Sequence, residues 1–205
     1  MSVNLQKRGS PYGEHGLSTV DRFGVYLSKR VILRSIKGHS IFKVLDIGCG
    51  YNASILYSLL PNIKEGIGID IKISDWAKSP GKLSFIEGDV ECILPDLPDG
   101  HFDLILMISV LEHLWKPEQA LSHCNRILSS GGIFLINVPT WRGKAFLEFS
   151  AFTLGTSPAC EMDDHKMYYD KQNLWPLLVF AGFRPSNIDL HYIKFGLNLF
   201  ALVRK

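Results

Sequence analysis

Between residues 43 and 138 the chain alternates short apolar runs with amphipathic stretches. Lys43 to Ile47 is apolar but for the leading lysine and Asp46, and it breaks into Gly48-Cys49-Gly50. That pattern predicts a strand ending in a turn of bare backbone at the carboxyl edge of a sheet. Ser54 to Leu60 reads as a helix stopped by Pro61. Gly66 to Ile71 is a second strand, short, apolar and acid-tipped, and Lys82 to Glu87 a third, followed by Gly88-Asp89-Val90. Pro95 to Gly100 is a turn. Phe102 to Ile108 is a nearly unbroken apolar run, the mark of a fully buried parallel strand. A helix is predicted from Pro117 to Leu128, with proline in its first turn, then a turn at Ser129-Ser130-Gly131-Gly132 and a fifth strand from Ile133 to Val138.

The flanks differ. Residues 1 to 18 are polar and glycine-punctuated, a flexible arm. From Thr19 to Lys37, apolar Val20, Phe23, Leu27, Val31 and Leu33 among basic residues predict an amphipathic helix laid against the domain and ended by Gly38. Residues 140 to 169 are aromatic, mixed in charge and poorly periodic, and read as an insertion or lid over the site. Asn173 to Ala181 reads as a helix stopped by Gly182, and Ser186 to Tyr192 with Leu197 to Val203 as a hairpin about Gly196. Strands alternating with helices imply the α/β class with a mostly parallel sheet, here closed by an antiparallel last strand.

A length of 205 residues suits one such domain, covering residues 1 to 205. A net charge of +2, with no basic stripe, argues against nucleic acid or an anionic membrane surface as partner. Cys49, Cys92, Cys124 and Cys160 have no Cys-x-x-Cys spacing and suit reduced thiols of a cytoplasmic chain better than disulfides or a zinc site. The first residues lack the apolar core of a signal peptide, and no run approaches the roughly 20 apolar residues of a membrane span.

The acids give the site its chemistry. Asp70 follows Gly50 by twenty residues, at a strand tip where nucleotide-binding folds place a ribose-binding carboxylate. Asp89 repeats the placement after the third strand, where it can accept from an adenine amine, although either acid could be a solvated loop cap. Gly48-Cys49-Gly50-Tyr51-Asn52-Ala53 also fits the G-x-G-x-x-A variant of NAD-binding proteins. Asp46 speaks against NAD, since a pyrophosphate would meet its negative charge, whereas a cationic amino-acid ligand would be welcome there. S-adenosylmethionine (SAM) carries a sulfonium and an ammonium and no phosphate.

Val44 to Gly50 resembles motif I of the class I SAM-dependent methyltransferases. Gly66 to Asp70 is similar to their second motif, Glu87-Gly88-Asp89-Val90 to the third, and Phe102 to Leu104 through Ser109-Val110-Leu111-Glu112-His113-Leu114 to the fourth. Leu128 to Gly132 is similar to the turn before their fifth strand. The resemblance implies a Rossmann-like, doubly wound, seven-stranded sheet with an antiparallel last strand. It implies that Asp46, Gly48, Cys49 and Gly50 face the methionine part of SAM, Asp70 the ribose and Asp89 the adenine. By the same resemblance Ile71 and Val90 flank the base, and Ile108 and Ser109 line the sulfonium side. Asn52 stands where the family often has a third glycine, and asparagine tolerates a left-handed backbone better than most residues.

The acceptor should lie at the switch point between strands 1 and 4, beside Ser109, Glu112 and His113. Methyl transfer is an in-line displacement that alignment favours, and a hydroxyl acceptor also benefits from a base. His113 is the nearest candidate, although a packing or capping histidine among Leu111, Leu114 and Trp115 would look the same. Glu112 would hold substrate or simply be solvated. His165 lies in Asp163 to Tyr169, similar to a His-aromatic-aromatic stretch of a broad bacterial branch of the family, and would approach the acceptor or cap a helix. Trp141 and Tyr168 would stack on a sugar or aromatic acceptor or cover the underside of the lid. Tyr12 and His15 would close over SAM, while His39, His101, His123 and His191 belong to turns or surface. Small-RNA 2'-O-methyltransferases carry Glu-x-x-Glu-His-His at the fourth motif, where this chain has Ser109 and Leu114 at the first and last positions, so no metal is expected. The leading expectation is a SAM-dependent methyltransferase acting on a small molecule or glycan, at oxygen. The alternatives are an NAD-dependent oxidoreductase and a non-catalytic SAM-fold binding protein.

Overall fold

The computed structural model describes residues 13–14, 16, 19–78, 81–146 and 165–205. Seven strands form one sheet: β1 Lys43–Ile47, β2 Glu65–Asp70, β3 Leu83–Glu87, β4 Phe102–Ile108, β5 Leu128–Pro139, β6 Ile188–Ile193 and β7 Asn198–Arg204. Their order across the sheet is β3-β2-β1-β4-β5-β7-β6. β1 pairs in parallel with β2 and β4, whereas β7 runs antiparallel to both β5 and β6. Both the mostly parallel sheet and the antiparallel last strand are as expected.

β4 is the spine. Leu104, Ile105, Leu106 and Met107 have no exposed surface, because helices cover both faces of the sheet at these positions. Each such burial contributes about 1.5–3 kcal/mol. Strand alternation divides the core: Leu45, Ile47, Ile105 and Met107 pack with α4 (Pro117–Ile127) and α5 (Lys171–Phe180) on one face. Val44, Leu104 and Leu106 pack on the other face with α2 (Ser54–Leu59) and with Ile32 and Ile36, at the end of α1 (Thr19–Ser35) and just past it. Gly66 and Gly68 of β2 make room on this second face, since an added Cβ would lie 2.8 Å from Leu83 or Phe85. The short α3 (Val90–Ile93) follows β3.

Three sequence expectations shift. In α1 the buried face runs through Ser28 and Ile32, whereas Phe23 and Leu33 point outward; an apolar count that omitted Ile32 rotated the stripe. Ser129 to Gly132 is the start of β5 rather than a turn before it: Leu128 pairs with Phe102, Gly131 N donates to Lys205 O, and Lys205 N donates to Gly132 O. Partner strands on both sides hold a segment that local glycine content would break. α5 begins at Lys171, two residues earlier than expected, because Asp170 and Asn173 form a reciprocal capping box.

Candidate active site

The chain leaves β1 through Gly48 (φ +69) and Gly50 (φ +77). Gly48 N and Cys49 N both donate to Ile69 O, at 2.8 and 3.0 Å, which ties the turn to β2. A Cβ on Gly48 would lie 2.2 Å from Val110 Cγ2, so only glycine lets the loop after β4 press against this turn. Asp70, at the tip of β2, accepts from Gly50 N at 2.7 Å and from Ile71 N at 2.8 Å. A carboxylate has roughly four acceptor positions, more than these two bonds fill. The left-handed non-glycine residue of the turn is Ala53 (φ 46), the N-cap of α2, and not Asn52. Asn52 Oδ1 instead accepts from Ser74 Oγ at 3.3 Å. The backbone strain of the missing third glycine thus falls one residue later, on the smallest side chain that can carry it.

Asp46 is 1% exposed, and its Oδ2 has no hydrogen-bond partner among the described residues. Burial, reinforced by the Asp70 charge, pushes its carboxyl up to about 8. A buried carboxylate with an open lone pair is a seat for a cationic group. Burial, with Asp46 and Asp70 beside it, pushes the Cys49 thiol up, so this cysteine is not a thiolate nucleophile.

Asp89 caps α3, its Oδ1 accepting from Glu91 N at 3.0 Å. The cap and an adenine contact are compatible, because the second oxygen is a separate acceptor. Val90 is buried beside it, and Ile71, just past β2, is half exposed. Ile108 is half-buried at the end of β4, and Ser109 follows with φ 57. Ser109 N donates to Asn137 O at 2.8 Å, and Asn137 Nδ2 donates to Ser109 Oγ at 3.4 Å. Asn137 is buried, with Oδ1 lacking a partner among the described residues. Sequence reasoning passed over it, although a single amide inside the apolar run Ile133 to Val138 was the available signal.

The loop after β4 carries a 3-10 turn, Leu111–His113. Glu112 is 1% exposed, which overturns the solvated reading of this residue. Its carbonyl accepts from Lys166 N at 2.8 Å and from Met167 N at 3.4 Å, while Tyr169 N donates to Pro139 O at 3.0 Å. These main-chain bonds pin the His165 segment across the β4 and β5 ends. His113 and His165 consequently face each other with ring centroids 4.7 Å apart. His165 Nδ1 lies 3.0 Å from Tyr168 Oη, and the Tyr168 ring meets Trp141 at 5.5 Å. Lys166 Nζ sits 4.6 Å from the centre of the Trp115 ring. One donor atom from each of Glu112, His113 and His165 lies within 4.8 Å of the other two. Glu112 and His113 are the donors of the fourth-motif segment, and His165 supplies a third from a distant one.

Among the arm residues, Glu14 pairs with Lys72, just past β2 and beside Tyr51, while Tyr12 and His15 lie outside the described residues. So do residues 147–164 of the expected lid. His39 and His101 sit in loops, His123 on α4 and His191 on β6.

Comparison with known proteins shows what this geometry is similar to. Residues 45–136 match the family described as a methyltransferase domain. A "Probable S-adenosylmethionine-dependent methyltransferase" of Mycolicibacterium smegmatis is 33% identical over 101 residues, 47% of this chain and 37% of that protein. The match thus spans well under half of that relative's length. A SAM-dependent methyltransferase from Archaeoglobus fulgidus shares the fold at TM-score 0.69 and 19% identity, over 93% of this chain and 96% of that one. The N-methyltransferase NodS from Bradyrhizobium japonicum, in complex with S-adenosylhomocysteine (SAH), does so at 0.61 and 16%, over 89% and 87%. Residues 45–136 thus resemble a methyltransferase domain, and the sheet and its helices have the fold of solved SAM-dependent methyltransferases. The relatives and neighbours so matched use SAM, not a dinucleotide. Among the described residues no helix is long and apolar enough to cross a membrane.

Proposed function

We propose that this chain transfers the SAM methyl group to an oxygen of a small-molecule or glycan acceptor, in the cytoplasm. In this reading Asp46 takes the ammonium of the methionine part, and the Gly48 to Gly50 turn with Cys49 backs it. Asp70 holds the ribose, Asp89 the adenine amine between Ile71 and Val90, and Ile108 with Ser109 borders the sulfonium. The acceptor enters on the side of the facing His113 and His165 rings, and one imidazole receives its proton as the methyl group arrives. Trp141 and Tyr168 form an aromatic wall suited to a sugar face or an aromatic ring. Residues 140–146 and 165–169 border that entrance, within a single domain.

The observation that carries this reading is the contact of His165 with His113, whose loop also carries the Val110 that lies against Gly48. A proton-accepting pair and the glycine turn are thereby parts of one rim. The test is incubation with SAM and a panel of hydroxylated sugars, phenols and amines, read by mass spectrometry. A gain of one methyl group on a hydroxyl acceptor supports the reading. Methylation confined to amines replaces oxygen by nitrogen, and SAH binding without transfer to any acceptor favours a non-catalytic binding protein.

A further inference from the structure

We infer that Glu112, His113 and His165 form a binding site for one divalent transition-metal cation, which takes an acceptor oxygen as a further ligand. The inference deepens the proposed function, since it assigns the same rim a ligand of its own. Two imidazoles and one carboxylate are a donor set used by catalytic zinc and by other first-row cations, with positions left open for substrate or water. The three donor atoms already lie within 4.8 Å of one another. A cation at about 2.1 Å from each holds such donors about 3.4 Å apart in tetrahedral geometry, so side-chain rotation of roughly an ångström closes the set.

The frame around the donors is rigid where a metal site needs it. Glu112 and His113 are consecutive on one 3-10 turn, and the main chain after His165 is bonded to the Glu112 carbonyl through Lys166 N at 2.8 Å. The main chain carrying all three donors is thus fixed by hydrogen bonds. His165 Nδ1 faces Tyr168 Oη at 3.0 Å. A proton donated there leaves the lone pair on Nε2, the outer-shell arrangement that orients metal-bound histidines. The Glu112 carboxylate is 1% exposed, so a cation beside it is held out of bulk water, where its attraction is least screened.

With the cation in place the two imidazoles are ligands. An acceptor hydroxyl on the bound cation would be acidified by it, and its proton would pass to water in place of an imidazole. Its oxygen forms the new bond to the methyl carbon as the carbon–sulfur bond breaks, and that electron pair stays on sulfur, giving neutral SAH. The facing imidazoles as proton acceptors and the imidazoles as ligands are different chemistries on one set of atoms, and metal binding separates them.

The experiment is titration of the chelator-treated full chain with Co2+, followed in the visible spectrum and by calorimetry, alongside SAH binding. One equivalent should bind, with weak d–d bands and without the intense near-ultraviolet charge-transfer band of a thiolate. His165→Ala and Glu112→Gln should each weaken Co2+ binding at least tenfold, while SAH affinity, which reports folding, stays within about twofold. His101→Ala, beside Glu65 in another part of the sheet, should bind Co2+ as the parent does. Absence of a stoichiometric site, a thiolate band, or undiminished affinity in folded His165→Ala protein would overturn the inference. Should Glu112→Gln not fold, His165→Ala decides alone. Failure of methyl transfer to every hydroxyl acceptor would sink the proposed function and leave the cobalt result standing.

Discussion

The imidazoles of His113 and His165, from segments far apart in the chain, meet with ring centroids 4.7 Å apart because the main chain of Lys166 is bonded to the carbonyl of Glu112. If this pair serves the acceptor and not the cofactor, His113→Ala and His165→Ala should each lower kcat by about 10²–10⁴-fold. SAH affinity, measured by calorimetry, should change by less than about threefold. A parallel loss of SAH binding would move the pair to the cofactor side.

Asp46 gives a pH signature. Its ordinary pKa is about 3.9, and burial raises it to about 8 in the fold. Between those values the native state keeps a proton that the unfolded chain has lost. This group therefore favours folding most below about pH 4, and its contribution is lost as pH rises through about 8. Thermal unfolding of the ligand-free protein should show a fall in Tm from pH 6 to 8.5 that Asp46→Asn protein lacks.

The same carboxyl links cofactor binding to protons. An ammonium seated on Asp46 favours the ionised form, so SAH binding at pH 7 should release close to one proton. Calorimetry in buffers of different ionisation enthalpy measures that number directly. Asp46→Asn should abolish the release and weaken SAH binding by about 10–100-fold, the worth of a charge-assisted hydrogen bond. Equal heats in all buffers would place the ammonium elsewhere.

Gly48 tests the turn. Gly48→Ala adds a Cβ at φ +69 and 2.2 Å from Val110 Cγ2, so both strain and overlap oppose it. A loss of about 2–4 kcal/mol in urea unfolding is expected. Val110→Ala in the same chain should restore part of it by removing the clashing methyl group, leaving the backbone strain.

β4 and the acid-bearing β1 and β2 were legible in the sequence because their cause is local: a nearly unbroken apolar run is buried on both faces, and glycine after a strand makes a turn. The conjunction of His113 and His165 was not legible, since backbone-to-backbone bonds from Lys166 and Tyr169 make it and such bonds leave no trace in residue type. Glu112 reads as a surface acid between Leu111 and His113, and only the packing of that 3-10 turn shows it buried. The start of β5 was hidden for the opposite reason, because Gly131 and Gly132 signal a break that Lys205 and the β4 edge override. Asn52 was the natural candidate for the left-handed position; the chain places Ala53 there, where the first turn of α2 begins.

The bonds from Gly50 and Ile71 to the Asp70 carboxylate have a thermodynamic corollary. A loop already fastened by the group that will greet the ribose has little freedom left to surrender when the nucleoside arrives. Association at this rim should therefore proceed without a slow ordering phase, and stopped-flow traces with SAH should be single exponentials whose rate rises linearly with ligand concentration.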